Sequence, residues 1–141
     1  MIAAALLVAT EFSTVASVDV AGGSCEVIND SDPELADRCT LSGFERNGGA
    51  FLLLAALTML MAWGAGVGGS RPAALALVAV GVVVLGWALL VDLPVTDETG
   101  AVGINFEGAT ARAGPGLTLE IVAGALAFGA GLAGLFARRP A

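Results

Sequence analysis

Histidine, lysine and tyrosine are absent from this 141-residue chain. Without them there is no Ser-His-Asp or Cys-His catalysis, no Schiff-base lysine, no Walker-type phosphate lysine and no histidine-ligated haem or zinc. Two cysteines are too few for an iron–sulfur cluster or a four-sulfur zinc site. Charge is scarce as well, at 13% of residues, and the six basic residues face thirteen acids for a net charge of -7. That balance argues against nucleic acid as a partner. No cofactor or metal is expected, and no nucleophile–base pair is visible, so the expectation is a non-enzymatic protein.

What the chain has instead is apolar surface. Hydrophobic residues make up 57% of it, with a mean hydropathy of +0.88. A soluble domain of this size buries only about two-thirds of the surface its unfolded chain exposes, so it could not hide that excess. The composition therefore predicts an integral membrane protein whose principal partner is the lipid bilayer.

A spanning helix needs ~20 apolar residues, and four segments qualify: Met1–Val18, Ala50–Gly68, Ala73–Val91 and Leu117–Ala137. The expected fold is an all-α, antiparallel bundle of four transmembrane helices forming a single domain over residues 1–141. Its outer loops would be 19–49 and 92–116, and its inner loop 69–72. For the first segment a cleaved signal peptide is the rival reading, since Val15-Ala16-Ser17 has the small residues of a processing site. A basic leader is missing, however, and Glu11 interrupts the apolar run, so a retained helix is preferred.

Arginine placement sets the orientation. Arg71 in the short connection and Arg138-Arg139 in the tail have no acids beside them, whereas the two long loops hold eleven acids and three arginines. Short arginine-bearing segments mark the cytoplasmic side. Both termini are therefore expected in the cytosol of a multi-pass cell-membrane protein, with the long loops outside and Trp63 and Trp87 as interfacial anchors. Cys25 and Cys39 both fall in the first outer loop, where an oxidising compartment favours a disulfide. Val15, Val18 and Val20 alternate with other residues, as does Val102-Gly103-Ile104-Asn105-Phe106-Glu107, so short strands could form an outer cap.

Small residues recur at helical spacing: Ala5, Ala9, Ser13 and Ser17 in the first segment, and two adjacent rows in the last. Those rows are Ala123, Ala127 and Gly131, and Ala125, Gly129 and Ala133. They suit close backbone packing, within the chain or across a homo-oligomer.

Three acids stand out by depth. Glu11 falls ~10 Å inside the first predicted span and Glu120 ~5 Å inside the last, while Asp92 closes the third. An ionised acid in the bilayer must face the bundle interior, pair or be protonated. The candidate cluster is Glu11, Asp92 and Glu120, with Thr10, Ser13, Thr14, Asn105, Arg112 and Thr118 as available partners. Two readings remain: a proton or cation site, or a hydrogen-bond network closed by Arg112 that fixes helix register. For Glu120 the dipole of a first helical turn is a sufficient structural reason. The acids of Asn29-Asp30-Ser31-Asp32-Pro33-Glu34 lack the glycine and terminal glutamate of an EF-hand, which leaves a solvated acidic loop.

Four stretches resemble a family of uncharacterised small actinobacterial membrane proteins. They are Ala9-Thr10-Glu11-Phe12, Gly69-Ser70-Arg71-Pro72-Ala73-Ala74-Leu75-Ala76-Leu77, Leu89-Leu90-Val91-Asp92-Leu93-Pro94 with Asp97 and Thr99-Gly100, and Ala113-Gly114-Pro115-Gly116-Leu117 with Leu119-Glu120. The resemblance implies the four-helix topology and picks out Glu11, Asp92 and Glu120, but brings no activity. The layout is also similar to claudins, by analogy only, since their Trp-Gly-Leu-Trp signature is absent. The expected function is that of a structural or accessory subunit engaging another membrane protein or its own copies. The alternative is a small proton- or cation-coupled channel or transporter subunit.

Overall fold

The computed structural model describes residues 1–20, 23–25, 31, 34, 39–96 and 110–137. Asn105, the alternating stretch around it, the Arg138-Arg139 tail and most of the acidic 29–37 loop lie outside the described residues. In chain order the elements are α1 (Ile2–Glu11), β1 (Thr14–Val20), β2 (Gly23–Ser24), β3 (Thr40–Ser42), α2 (Gly43–Asn47), α3 (Ala50–Gly66) and α4 (Arg71–Trp87). A π-helical segment (Ala88–Asp92) then leads into the single turn α5 (Leu93–Val95), followed by β4 (Thr110–Ala113) and α6 (Pro115–Phe136).

The chain is mostly helical, with a small sheet at one end. Among the described residues two helical segments are long and apolar enough to cross a membrane, Arg71–Val95 with 25 residues and Pro115–Phe136 with 22. At 1.5 Å per residue they reach ~37 and ~33 Å, against a hydrocarbon core of ~30 Å. Helix α3, with 17 residues, reaches only ~25 Å. Four full spans are therefore not what the helix lengths give.

The largest departure is in the first segment. Helix α1 has ten residues, ~15 Å, and the chain then becomes a strand instead of continuing to Val18. The cause is local. Thr10 and Ser13 turn their hydroxyls back onto the carbonyls of Leu6 and Ala9, and β-branched residues follow at Thr14, Val15, Val18 and Val20. Such residues lose side-chain freedom in a helix and gain packing in a sheet. The strand's backbone groups are taken up on both sides, so the small-residue stripe from Ala5 to Ser17 does not exist as one helical face. The Val15-Ala16-Ser17 signal-type site lies within β1, where Ala16 is buried and paired with both Leu41 and Ala113.

Strand β1 is the centre of the sheet. It pairs antiparallel with β2 and β3, in the order β2-β1-β3, and also with β4. An irregularity between Thr14 and Ala16 bends it where it leaves α1. The expected disulfide is present, Cys25 to Cys39, and the two half-cystines pack with Val18 beneath the strands. Helix α2 starts with a reciprocal cap: the Ser42 hydroxyl accepts from the Glu45 amide, and the Glu45 carboxylate accepts from the Ser42 amide and hydroxyl. Those bonds hold the Glu45 carboxyl below its ordinary acid range.

Helices α4 and α6 make the most extensive contact in the molecule, and glycine is the reason. A Cβ on Gly81 would sit 2.5 Å from the backbone nitrogen of Phe128, and one on Gly131 would sit 2.6 Å from that of Val78. The Ala123, Ala127 and Gly131 row is the buried seam, while Ala125, Gly129 and Ala133 face away from the bundle. Between α1, α3, α4 and α6 lies a small core of Ala4, Leu7, Phe51, Ala55, Val80, Val84 and Ala123.

Candidate functional site

Where the helices meet the sheet, three carboxylates come together. Glu11 ends α1, Asp92 ends the π-helical segment and Glu120 lies in α6; their exposures are 0%, 1% and 0%. The placement follows from helical spacing. Asp92 extends the buried stripe of Val80, Val84 and Ala88, and Glu120 lies on the stripe of Leu117, Ala123, Gly124 and Ala127. Glu11 is carried in because α1 stops there and turns into β1. The Glu120 carboxyl faces that of Asp92 at hydrogen-bonding range, with Glu11 also close enough to act on it electrostatically. Three of the expected site residues, Glu11, Asp92 and Glu120, are thus brought together at the helix–sheet junction.

The partners are not the ones expected. Glu11 accepts a hydrogen bond of 2.7 Å from the Phe51 backbone amide, in the first turn of α3, where unpaired amides and the helix dipole favour an anion. Thr10 and Ser13 are occupied with α1 carbonyls, and Thr118 is exposed. Arg112 does not close the cluster: it sits on β4, largely exposed, and pairs with Asp19 at 2.7 Å. That pairing follows from strand register, since β4 lies beside β1 and brings the two side chains onto neighbouring strands. The helix-dipole account of Glu120 also fails, because α6 begins at Pro115 and its first turn contains no acid.

The residue that sequence reasoning missed is Arg46. Its Nε donates to Asp92 Oδ1 at 3.0 Å, and its Nη2 to the Val91 carbonyl at 3.3 Å. The Arg46 side chain is 31% exposed and that of Asp92 0%, so the cation reaches in from the rim. A signal existed. Arg46 lies just before α3, so predicted depth puts it level with Asp92 at the end of the α4 segment. Next to it the Trp87 indole donates to the Asn47 side-chain carbonyl at 3.0 Å, a second tie between α2 and the end of α4.

Once these bonds are made, four carboxylate oxygens of the cluster have no donor among the described residues: Glu11 Oε2, Asp92 Oδ2 and both oxygens of Glu120. Two of the three acids have compensation, Glu11 from the α3 amide and Asp92 from Arg46. Glu120 has none. Among the described residues no group of three or more His, Cys, Asp or Glu side chains is arranged to hold a metal ion.

Comparison with protein-family models, curated proteins and solved structures finds no match to this chain.

Proposed function

We propose that the chain is a non-enzymatic integral membrane protein, acting as an accessory or structural subunit that presents a disulfide-tied sheet on a short helix bundle. One observation carries this reading, the inversion of polarity between interior and surface. Glu11, Thr58, Asp92 and Glu120 are buried, whereas Leu53, Leu60 and Leu90 are 76%, 66% and 78% exposed. Water-soluble folds do the opposite, and soluble monomers rarely leave so broad an apolar surface open. A bilayer is the solvent in which both features are stable.

In this arrangement Arg71–Val95 and α6 cross the membrane, α3 spans most of it, and α1 occupies the half nearest the sheet. The acid-rich, disulfide-bonded sheet end faces the oxidising exterior. The connection carrying Arg71 and the carboxy-terminal tail face the cytosol, in keeping with the distribution of arginine. The sheet and the outward row of Ala125, Gly129 and Ala133 are the surfaces offered to a membrane-protein partner.

The test is alkaline carbonate extraction of native membranes, followed by affinity capture of the full chain in mild detergent. Retention in the membrane pellet with a stoichiometric partner, and no conductance in liposomes, is expected. Recovery as a folded protein in buffer without detergent would overturn the membrane reading. The unpartnered carboxylate oxygens favour one second reading, a small proton- or cation-coupled channel or transporter subunit. Cation flux in liposomes that Glu11→Gln abolishes would replace the accessory reading with this one.

A further inference from the structure

We propose that the carboxylate junction is a proton-binding site: Glu120 carries the proton and donates it to Oδ2 of Asp92. This goes beyond the accessory reading and does not depend on it, because it concerns what occupies the pair and not what the protein engages.

The argument begins with donors. Two carboxyl groups at hydrogen-bonding range offer only acceptor oxygens unless one of them is protonated. Asp92 Oδ2 and both oxygens of Glu120 are fully buried and have no donor among the described residues. A buried polar group left in that state costs roughly 1–3 kcal/mol, and more when it is charged. A single proton between the two acids supplies the missing donor.

Charge leads to the same conclusion. Among the described residues, the groups facing Glu120 are Glu11 from α1 and Asp92 from the end of the α4 segment, with Arg46 of α2 reaching Asp92 from the rim. Helix α3 and β1 bring no ionisable side chain to this point, and the only one on α4, Arg71, is at its opposite end. With all three acids ionised the junction would hold three negative charges against one guanidinium. Like charges in a dry site cannot all be kept ionised, and paired carboxylates resolve this by sharing a proton. Asp92 is the member fixed by Arg46, and Glu11 is met by the α3 amide. Glu120 is the one left to take the proton.

Geometry disfavours a metal ion. Calcium takes six to eight oxygen ligands and magnesium a near-ideal octahedron, whereas four free carboxylate oxygens are present and no metal-holding group is formed among the described residues. A proton needs only the two facing oxygens.

The experiment is infrared spectroscopy of the purified full chain in lipid nanodiscs at neutral pH, with glutamate and aspartate carboxyls isotope-labelled in separate samples. The expected result is one protonated-carboxyl C=O band that shifts with the glutamate label and in heavy water. It should be lost in Glu120→Gln and retained in Glu11→Gln. No such band, or one that follows the aspartate label, would overturn the proposal. Survival of the band in Glu120→Gln would also overturn it. The labelled unmodified chain decides the matter by itself if the Glu120 variant does not fold. Sodium and potassium, titrated separately at fixed pH, are expected to leave the band unchanged. Displacement of the proton by either ion would overturn the proposal in favour of a cation site.

Discussion

The Arg46 guanidinium meets the Asp92 carboxylate at 3.0 Å although the two residues are 46 positions apart. This contact ties α2 to the end of the α4 segment, close to where the helices meet the sheet. It also places a cation against a carboxylate whose side chain is fully buried.

Removing Arg46 while keeping Asp92 therefore leaves an uncompensated buried charge. Arg46→Gln is expected to destabilise the fold by about 1.5–3 kcal/mol, the range for a hydrogen bond to a charged group. This is less than the cost of breaking a fully buried pair, because Arg46 is partly solvated. Arg46→Lys should recover part of the loss, since it restores the charge but not the second donor to Val91. Equilibrium unfolding of the three proteins in the same detergent measures both effects.

The α4–α6 seam makes a sharper prediction by position. Gly81→Ala places a methyl group against the Phe128 backbone, and overpacking of this kind costs about 1–3 kcal/mol. Gly129 lies on the same helix as Phe128 but has nothing within 4 Å of an added Cβ. Gly129→Ala should be neutral, or stabilising by up to roughly 1 kcal/mol through helix propensity. Thermal melts should fall for Gly81→Ala and hold or rise for Gly129→Ala. Equal destabilisation would mean that the outward row is packed against something.

The disulfide lies at the sheet, where its half-cystines pack with Val18 of β1. Cys25 and Cys39 are 14 positions apart, and a loop of about that length is worth on the order of 3 kcal/mol. Reduction, or a Cys25→Ser/Cys39→Ser double variant, should raise amide exchange in β2 and β3 while α4 and α6 keep their protection. Limited proteolysis should then cut between residues 25 and 39. Loss of protection in α6 on reduction would show that sheet and bundle unfold as one unit.

How much of the site could be read in advance differs from residue to residue. Asp92 and Glu120 were legible because each falls near the end of a long apolar run, where an ionised acid needs a partner, and that placement is a property of the chain. Glu11 was legible as a buried acid but not as a helix end, because hydropathy ran on through Thr14–Val20 while β-branched content and strand partners ended the helix. Arg112 was assigned to the cluster from its position along the sequence. Strand register gave it to Asp19 instead, and register depends on which strands pair.

The amino-acid sequence by itself determined the apolar excess, the small-residue rows of α6, the disulfide and the three acids whose burial needs a partner. These are properties of composition and of spacing along one element, decided by local geometry and by the cost of solvating each side chain. Which cation compensates which acid was decided only by the tertiary structure, as were the stop of α1 at Glu11 and the acid-to-acid contact of Glu120 with Asp92. Those outcomes depend on atoms far apart in the chain, brought within a few ångströms by the packing of glycine-lined helices and the pairing of β1 with its neighbours.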